Sequence, residues 1–326
     1  MSTLIQEYLS FAAVVTNLIN KISLYGSVIV HPIGFILNVL SIMIFMRKRF
    51  GDSTMGFYNI IIAIDNNIVI AVNFIMSFTL GVYADNDATV WSSFSCSFFY
   101  YTSRVTTSLS SWLNVLVAFD RMVFILFPFK YSFMRNRKLL LVIISAMFVI
   151  LFLLNSPNFY LYVAVTSTYS NATNQTLITK TCGPPKDLVL IVDSIRIFTR
   201  AVVPFILVIL INALLIYKVI KTKAKYNKNS AAKKEYNFIR SIVALSVFFI
   251  VSLAPFVITL TILNIMSQLN KITTRAYLIV YLAYGLSILL SSYNYCFAFF
   301  VNLFFNSLFR HETVKFFKSI QKSFKK

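Results

Sequence analysis

Seven stretches of this chain are apolar for long enough to cross a lipid bilayer: residues 24–46, 58–82, 92–126, 139–161, 188–217, 238–265 and 277–300. A helix rises about 1.5 Å per residue, so roughly 20 apolar residues cover about 30 Å of hydrocarbon. Backbone groups in that medium must be satisfied within the segment, which makes such runs helices. The stretches and their connectors use nearly all of the 326 residues, so no separate soluble domain is expected. The expected fold is an all-α membrane protein, a seven-transmembrane helix bundle with a short amphipathic helix after the seventh span. Residues 1–23 read as an extracellular N-terminal tail. Their apolar run contains Glu7 and lacks the basic leading region of a signal peptide. Residues 24–300 form the membrane domain, and 301–326 a cytoplasmic amphipathic helix with a basic tail.

Charge orients the bundle. The chain carries 30 Lys+Arg against 10 Asp+Glu, a formal charge of +20, although 58% of it is hydrophobic. A soluble nucleic-acid binder would set such charge on a polar protein, so nucleic acid is not an expected partner. Of the 30 basic residues, 22 fall in or beside the loops after spans 1, 3 and 5 and in the tail. Cytoplasmic loops carry the Lys/Arg excess, which places the C-terminus inside and, with an odd number of spans, the N-terminus outside. The expected location is the plasma membrane, as a multi-pass protein.

The glycosylation triplets at Asn171 and Asn174 both fall in the outer loop before span 5, in agreement with that orientation. Cys96 and Cys182 also lie on the outer, oxidising side. A bond between them would pin the long loop to the top of span 3; two free thiols are the other possibility. In the same loop, residues 176–181 are β-prone, which predicts a short hairpin over the bundle. Beyond span 7, aromatic residues recur at near-helical spacing among lysines, as in an interfacial helix on anionic membrane lipids.

The segment Ala118-Phe-Asp120-Arg121-Met122, followed by Ile125, Pro128 and Tyr131, closes the third span. It resembles the Asp-Arg-Tyr motif of the rhodopsin-like (class A) G-protein-coupled receptors, with Met122 in place of the usual aromatic. Asn38 in span 1, Asp65 in span 2, Trp91 before Cys96, Pro204 in span 5 and Pro255 in span 6 are similar to further landmarks of that family. Four positions depart from it. The span-4 Trp is absent, Leu253 stands where span 6 usually has Trp, and Asn212 follows Pro204 where Tyr is usual. The span-7 Asn-Pro-x-x-Tyr motif is missing, with Asn294-Tyr295 as the nearest candidate. The long outer loop gives a further resemblance to divergent invertebrate neuropeptide receptors.

The resemblance implies a receptor that binds an extracellular ligand and activates a heterotrimeric G protein. It implies that Asp120 and Arg121 hold the resting state, with Pro255 at the hinge of span 6. Glu235, twenty residues before Pro255, stands where some members place the acidic partner of that Arg; a solvated surface residue is the other reading. It implies an allosteric sodium ion at Asp65, with oxygens from Ser110 and Asn294, since hard cations take oxygen ligands; a hydrogen-bonded structural acid is the alternative. No other cofactor is expected.

Amine receptors of the family carry an Asp where this chain has Ser103, so a cationic amine would lack its counter-ion. Opsins need a span-7 Lys, which residues 277–300 lack. Arg104, Arg196 and Arg200 remain in the outer half. Arg196 and Arg200 are four apart and share one helix face. Guanidinium suits carboxylate and phosphate, which points to a ligand with an acidic group, either a peptide or an anionic small molecule. The competing reading pairs Asp193 with Arg196 and sends the other arginines to lipid headgroups. A transporter or channel, or a receptor fold that does not signal, is the alternative function; no related halves of the transporter type are visible. With His31 in span 1 and His311 in the tail as its two histidines, the chain cannot assemble a histidine cluster, and an enzyme is not expected.

Overall fold

The computed structural model describes residues 2–51, 53–82, 87–127, 136–170, 175–226, 230–269 and 274–324. Among them, seven helices are long and apolar enough to cross a membrane. Helix α1 (Ser2–Phe45) leads through a short α2 (Lys48–Gly51) to α3 (Thr54–Val82), α4 (Ser93–Leu126) and α5 (Arg137–Leu154). A β-hairpin follows, β1 (Tyr162–Ser170) and β2 (Gln175–Gly183). The fifth span is α6 (Val189–Ile197), a π turn (Phe198–Val202) and α7 (Val203–Tyr226). Then come α8 (Ser230–Gln268), α9 (Arg275–Cys296), α10 (Ala298–Phe305) and α11 (Ser307–Phe324).

One boundary differs from expectation. Residues read as a tail are helical from Ser2 and run straight into the first span. The physical reason is local: no Gly or Pro interrupts the sequence before Gly26, so nothing ends the helix.

Helix α4 is the central strut. Its start is fixed by a capping box, in which Ser92 Oγ accepts from the Ser95 amide and Ser95 Oγ accepts from the Ser92 amide, both at 3.0 Å. Along its middle, Thr106, Thr107, Ser108, Ser110 and Ser111 are all buried. Small side chains let neighbouring helices approach closely where lipid offers no hydrophobic drive to pack. Thr106, Thr107 and Ser111 return their hydroxyl protons to α4's own carbonyls, so the polar atoms cost little. By contrast α5 buries only Leu140, Ile144 and Leu151, and presents the rest outward.

Among the described residues, apolar clusters join the helices. Tyr58, Leu113 and Leu140 link α3, α4 and α5. Val115, Val208, Phe249, Leu253 and Phe256 link α4, α7 and α8. Phe45, Phe50, Met55, Phe299 and Phe309 link α1, α2, α3, α10 and α11. The last cluster docks α11 on the bundle, because Phe309 is fully buried there while Phe317 and Ile320 stay exposed. Ions reinforce that docking: Glu312 accepts from Arg47 at 3.0 Å and from Arg49 at 3.5 Å.

The hairpin caps the opposite end. Strands β1 and β2 pair antiparallel, with Val163 opposite Cys182. Cys182 is bonded to Cys96 at the start of α4, with their Cα atoms 5.7 Å apart. Ser97 Oγ donates to Leu161 O at 2.7 Å and holds the strand's entry to the same helix. The expected disulfide and hairpin are therefore both present. Asn171 and Asn174 lie outside the described residues.

Candidate ligand cavity and the buried charges

A cavity of about 360 Å³ lies among α1, α3, α4, the fifth span, α8 and α9, near the lower end of the range for small-molecule sites. Ser103, Arg104, Arg196 and Arg200 all line it, so the structure brings the four sequence-selected residues to one place. The fifth span positions two of them. Its π turn carries Arg200, and such turns recur at functional sites. The turn is held by side chains: Trp112 Nε1 donates to Thr199 O at 2.9 Å, and Thr199 Oγ1 donates to Ile195 O at 2.7 Å.

Aromatic rings cradle the cations. The Arg200 guanidinium lies 4.4 Å from the Phe256 ring centre and that of Arg196 lies 5.5 Å from it. Arg104 sits over Tyr100 at 5.7 Å. Arg196 Nη2 also donates to Tyr284 Oη at 2.5 Å. Asp193 stands beyond ion-pair distance of Arg196, though near enough for its charge to act on Arg196 and Arg104. Among the described residues, no carboxylate lies within ion-pair distance of Arg104, Arg196 or Arg200. Arg104 Nη1 and Arg200 Nε are buried without a hydrogen-bond partner. Asp87 lines the cavity too, but its two oxygens accept from the Thr89 amide and hydroxyl. Ser103 Oγ donates to Asn73 Oδ1 at 3.1 Å, so the position that holds an acid in amine receptors is taken up by an uncharged contact.

Sequence reasoning missed the rings and one polar wall. Phe256 adjoins Pro255, and Tyr277, Tyr281 and Tyr284 recur at helical spacing, with Tyr281 and Tyr284 facing the cavity. That spacing was the available signal. His31 also lines the cavity.

Mid-bundle, Asp65 is buried and its Oδ2 has no hydrogen-bond partner. Ser110 Oγ donates to Asn66 Oδ1 at 3.2 Å. Asn294 on α9 is partly buried, and no hydrogen bond joins it to Asp65 or Ser110. The adjacent Tyr295 accepts from Asn38 Nδ2 through its carbonyl at 3.0 Å, which ties the first span to the seventh. The seventh span then breaks at Phe297 with no proline present.

At the end near α11, Arg121 is turned inward. Its Nη2 lies 2.8 Å from Asp120 Oδ2 and donates to Thr54 Oγ1 at 2.7 Å. Both charged side chains are buried, Asp120 completely. Pro255 lies inside α8, and its own carbonyl accepts from Thr259 Oγ1 at 2.7 Å. The side chain of Glu235 lies outside the described residues.

The family described as "7 transmembrane receptor (rhodopsin family)" matches residues 37–297. Cysteinyl leukotriene receptor 1 of Cavia porcellus is 23% identical over 238 residues, 72% of this chain. The match spans 66% of that receptor's own length, just under two thirds. With the family match running from the first span through the seventh, the chain belongs to the rhodopsin family of seven-transmembrane receptors.

Proposed function

We propose that this chain is a plasma-membrane receptor that takes a small extracellular ligand with an acidic group into the arginine-lined cavity and signals through a heterotrimeric G protein. In this reading the hairpin end faces outward and α11 lies on the anionic inner leaflet. One observation carries it: Arg104, Arg196 and Arg200 face a single cavity, and among the described residues no carboxylate sits within ion-pair distance of them. Guanidinium forks match carboxylate, sulfonate and phosphate in shape and charge. The cavity volume favours a small molecule over a buried peptide. The similar receptor of Cavia porcellus is named for a cysteinyl leukotriene. A sodium ion, when bound, would be held by Asp65 with the oxygens of Ser110 and Asn294, and would favour the resting arrangement.

The test is a panel of organic acids, each paired with its neutral amide, on cells that express the chain with a promiscuous G protein. Acids are expected to activate, their amides to act at least about tenfold more weakly, since a charged hydrogen bond is worth about 1.5–3 kcal/mol. Arg196→Ala and Arg200→Ala should erase the difference. Equal potency of acids and amides overturns the acidic-ligand reading. Solute flux with no G-protein response would favour the transporter alternative, and peptides active where small acids are not would return the neuropeptide reading.

A further inference from the structure

The number and placement of the cations specify the acidic group further. Arg196 and Arg200 flank one ring, that of Phe256, at 5.5 and 4.4 Å, so their guanidinia lie no further apart than the sum of those distances. Arg104 stands off that pair, over Tyr100 at 5.7 Å, yet near enough to Arg196 for the two like charges to act on each other. All three line the one cavity. Like charges gathered this closely repel, and each costs free energy to hold inside a membrane bundle.

The nearby acids do not neutralise them by contact. Asp87 lines the cavity, but its oxygens are engaged by the Thr89 amide at 3.0 Å and hydroxyl at 2.7 Å. Asp193 acts on Arg104 and Arg196 only from beyond ion-pair distance. The cations are also held in orientation. Arg196 Nη2 donates to Tyr284 Oη, and its guanidinium lies 5.9 Å from the centre of that ring. Groups fixed before binding lose less freedom when an anion arrives.

A carboxylate has two oxygens, and a single guanidinium fork can fill both. Two of the three arginines would then face no oxygen of their own. A phosphate group on an organic molecule offers three acceptor oxygens and a second negative charge. We propose that the acidic group this cavity recognises is a doubly charged phosphate, with one terminal oxygen for each of Arg104, Arg196 and Arg200. The inference rests on the acidic-ligand reading and narrows it: a singly charged carboxylate or sulfate is a weaker ligand of the same site. An organic phosphate ester and free inorganic phosphate share this chemistry, and the assay separates them.

The test needs no prior ligand. The full chain in non-ionic detergent is titrated with phenyl phosphate, phenyl sulfate, benzene-1,3-dicarboxylate or inorganic phosphate at constant ionic strength. The concentration that gives a set rise in thermal midpoint is the readout. Phenyl phosphate carries two charges at about pH 7.5 and one at about pH 5, since its second ionisation lies near 6; phenyl sulfate carries one throughout. His31 on α1, Asp87, Tyr100 on α4, and Tyr281 and Tyr284 on α9 are the other titratable groups on the wall, with Asp193 behind it. Their titration acts on both probes, so the ratio of the two is what counts. At the higher pH phenyl phosphate should act at about tenfold lower concentration than phenyl sulfate, as one further charged hydrogen bond allows. That advantage should vanish at the lower pH. Arg104→Gln should remove it while phenyl sulfate still acts, and Arg104→Lys should keep part of it. Equal potency at the higher pH, an advantage that persists at the lower pH or in Arg104→Gln, or a dicarboxylate that outdoes phenyl phosphate overturns the phosphate proposal and leaves the acidic-ligand reading standing. Failure of every anion to raise the midpoint overturns both. Inorganic phosphate as potent as phenyl phosphate supports the proposal with free phosphate as the source; a weaker effect supports it with an ester.

Discussion

Thr54→Val should raise ligand-independent signalling by about tenfold. Among the contacts that hold Arg121 inward are Asp120 at 2.8 Å, Thr54 at 2.7 Å and the Phe124 ring at 5.8 Å. The side chain of Arg121 is 6% exposed, so in this arrangement it is not offered to a cytoplasmic partner. Valine keeps the shape of threonine and removes the acceptor. A hydrogen bond to a charged group is worth about 1.5–3 kcal/mol, and the lower figure applies because the Asp120 contact persists. About 1.5 kcal/mol taken from the resting state alone multiplies the active-to-resting ratio by about 10. A resting receptor with an active fraction on the order of 1% would then show about 10%.

The assay is nucleotide exchange on G protein in membranes without ligand, at matched surface expression of wild type, Thr54→Val and Asp120→Asn. Basal exchange should rise in both variants, and Thr54→Ser should stay near wild type because it keeps the hydroxyl. Flat basal exchange in Thr54→Val, alongside a rise in Asp120→Asn, would show that the Thr54 contact does not hold Arg121. Flat exchange in both would remove the resting-lock reading of this motif.

Three further outcomes follow from the packing. Cys96→Ser opens a loop of sequence separation 86 and should cost about 2–4 kcal/mol, read as loss of surface protein and a lower thermal midpoint in detergent. Gly34→Ala places a methyl against the side chain and Cα of Cys296; it should destabilise by about 1–3 kcal/mol, and Cys296→Ala should rescue it only in part because the Cys296 backbone stays close. Glu312→Gln removes the negative charge paired with Arg47 and Arg49, whose side chains are 32% and 54% exposed. With that solvent screening the loss is about 1 kcal/mol, seen as about fivefold faster amide exchange in α11 with the remaining helices unchanged.

Legibility followed the length scale of the signal. Bundle, hairpin and disulfide were readable because they rest on long apolar runs, a β-prone segment and two cysteines on one face. The helical start at Ser2 was readable in principle, from the absence of any breaker before Gly26, but the polar residues there pointed to a tail. The arginine face was visible from the spacing of Arg196 and Arg200. The ring of Phe256 beneath them was not, because a π turn at Phe198–Val202 shifts the helical register that fixes which side chains meet. Sequence periodicity assumes 3.6 residues per turn and has no term for an extra one.

The same geometry bears on why three arginines persist in so apolar a chain. A cation within a membrane helix costs about 2.5–3.5 kcal/mol on insertion scales, so each needs a compensating partner. Arg196 has its hydrogen bond to Tyr284 and two ring contacts. Arg200 has a ring at 4.4 Å and a hydrogen bond with Tyr295 and still leaves Nε unpaired, and Arg104 leaves Nη1 unpaired. Ring contacts return about 0.5–2 kcal/mol each, less than the insertion cost. An arrangement left electrostatically incomplete at a cavity wall is completed by whatever anion enters, and that differential is what a ligand needs to shift a receptor between two states. The test of this logic is thermal: sulfonate or carboxylate probes should raise the midpoint of the wild-type protein and leave Arg104→Gln/Arg196→Gln/Arg200→Gln unmoved, whereas equal stabilisation of both would mean the arginines are satisfied without a ligand.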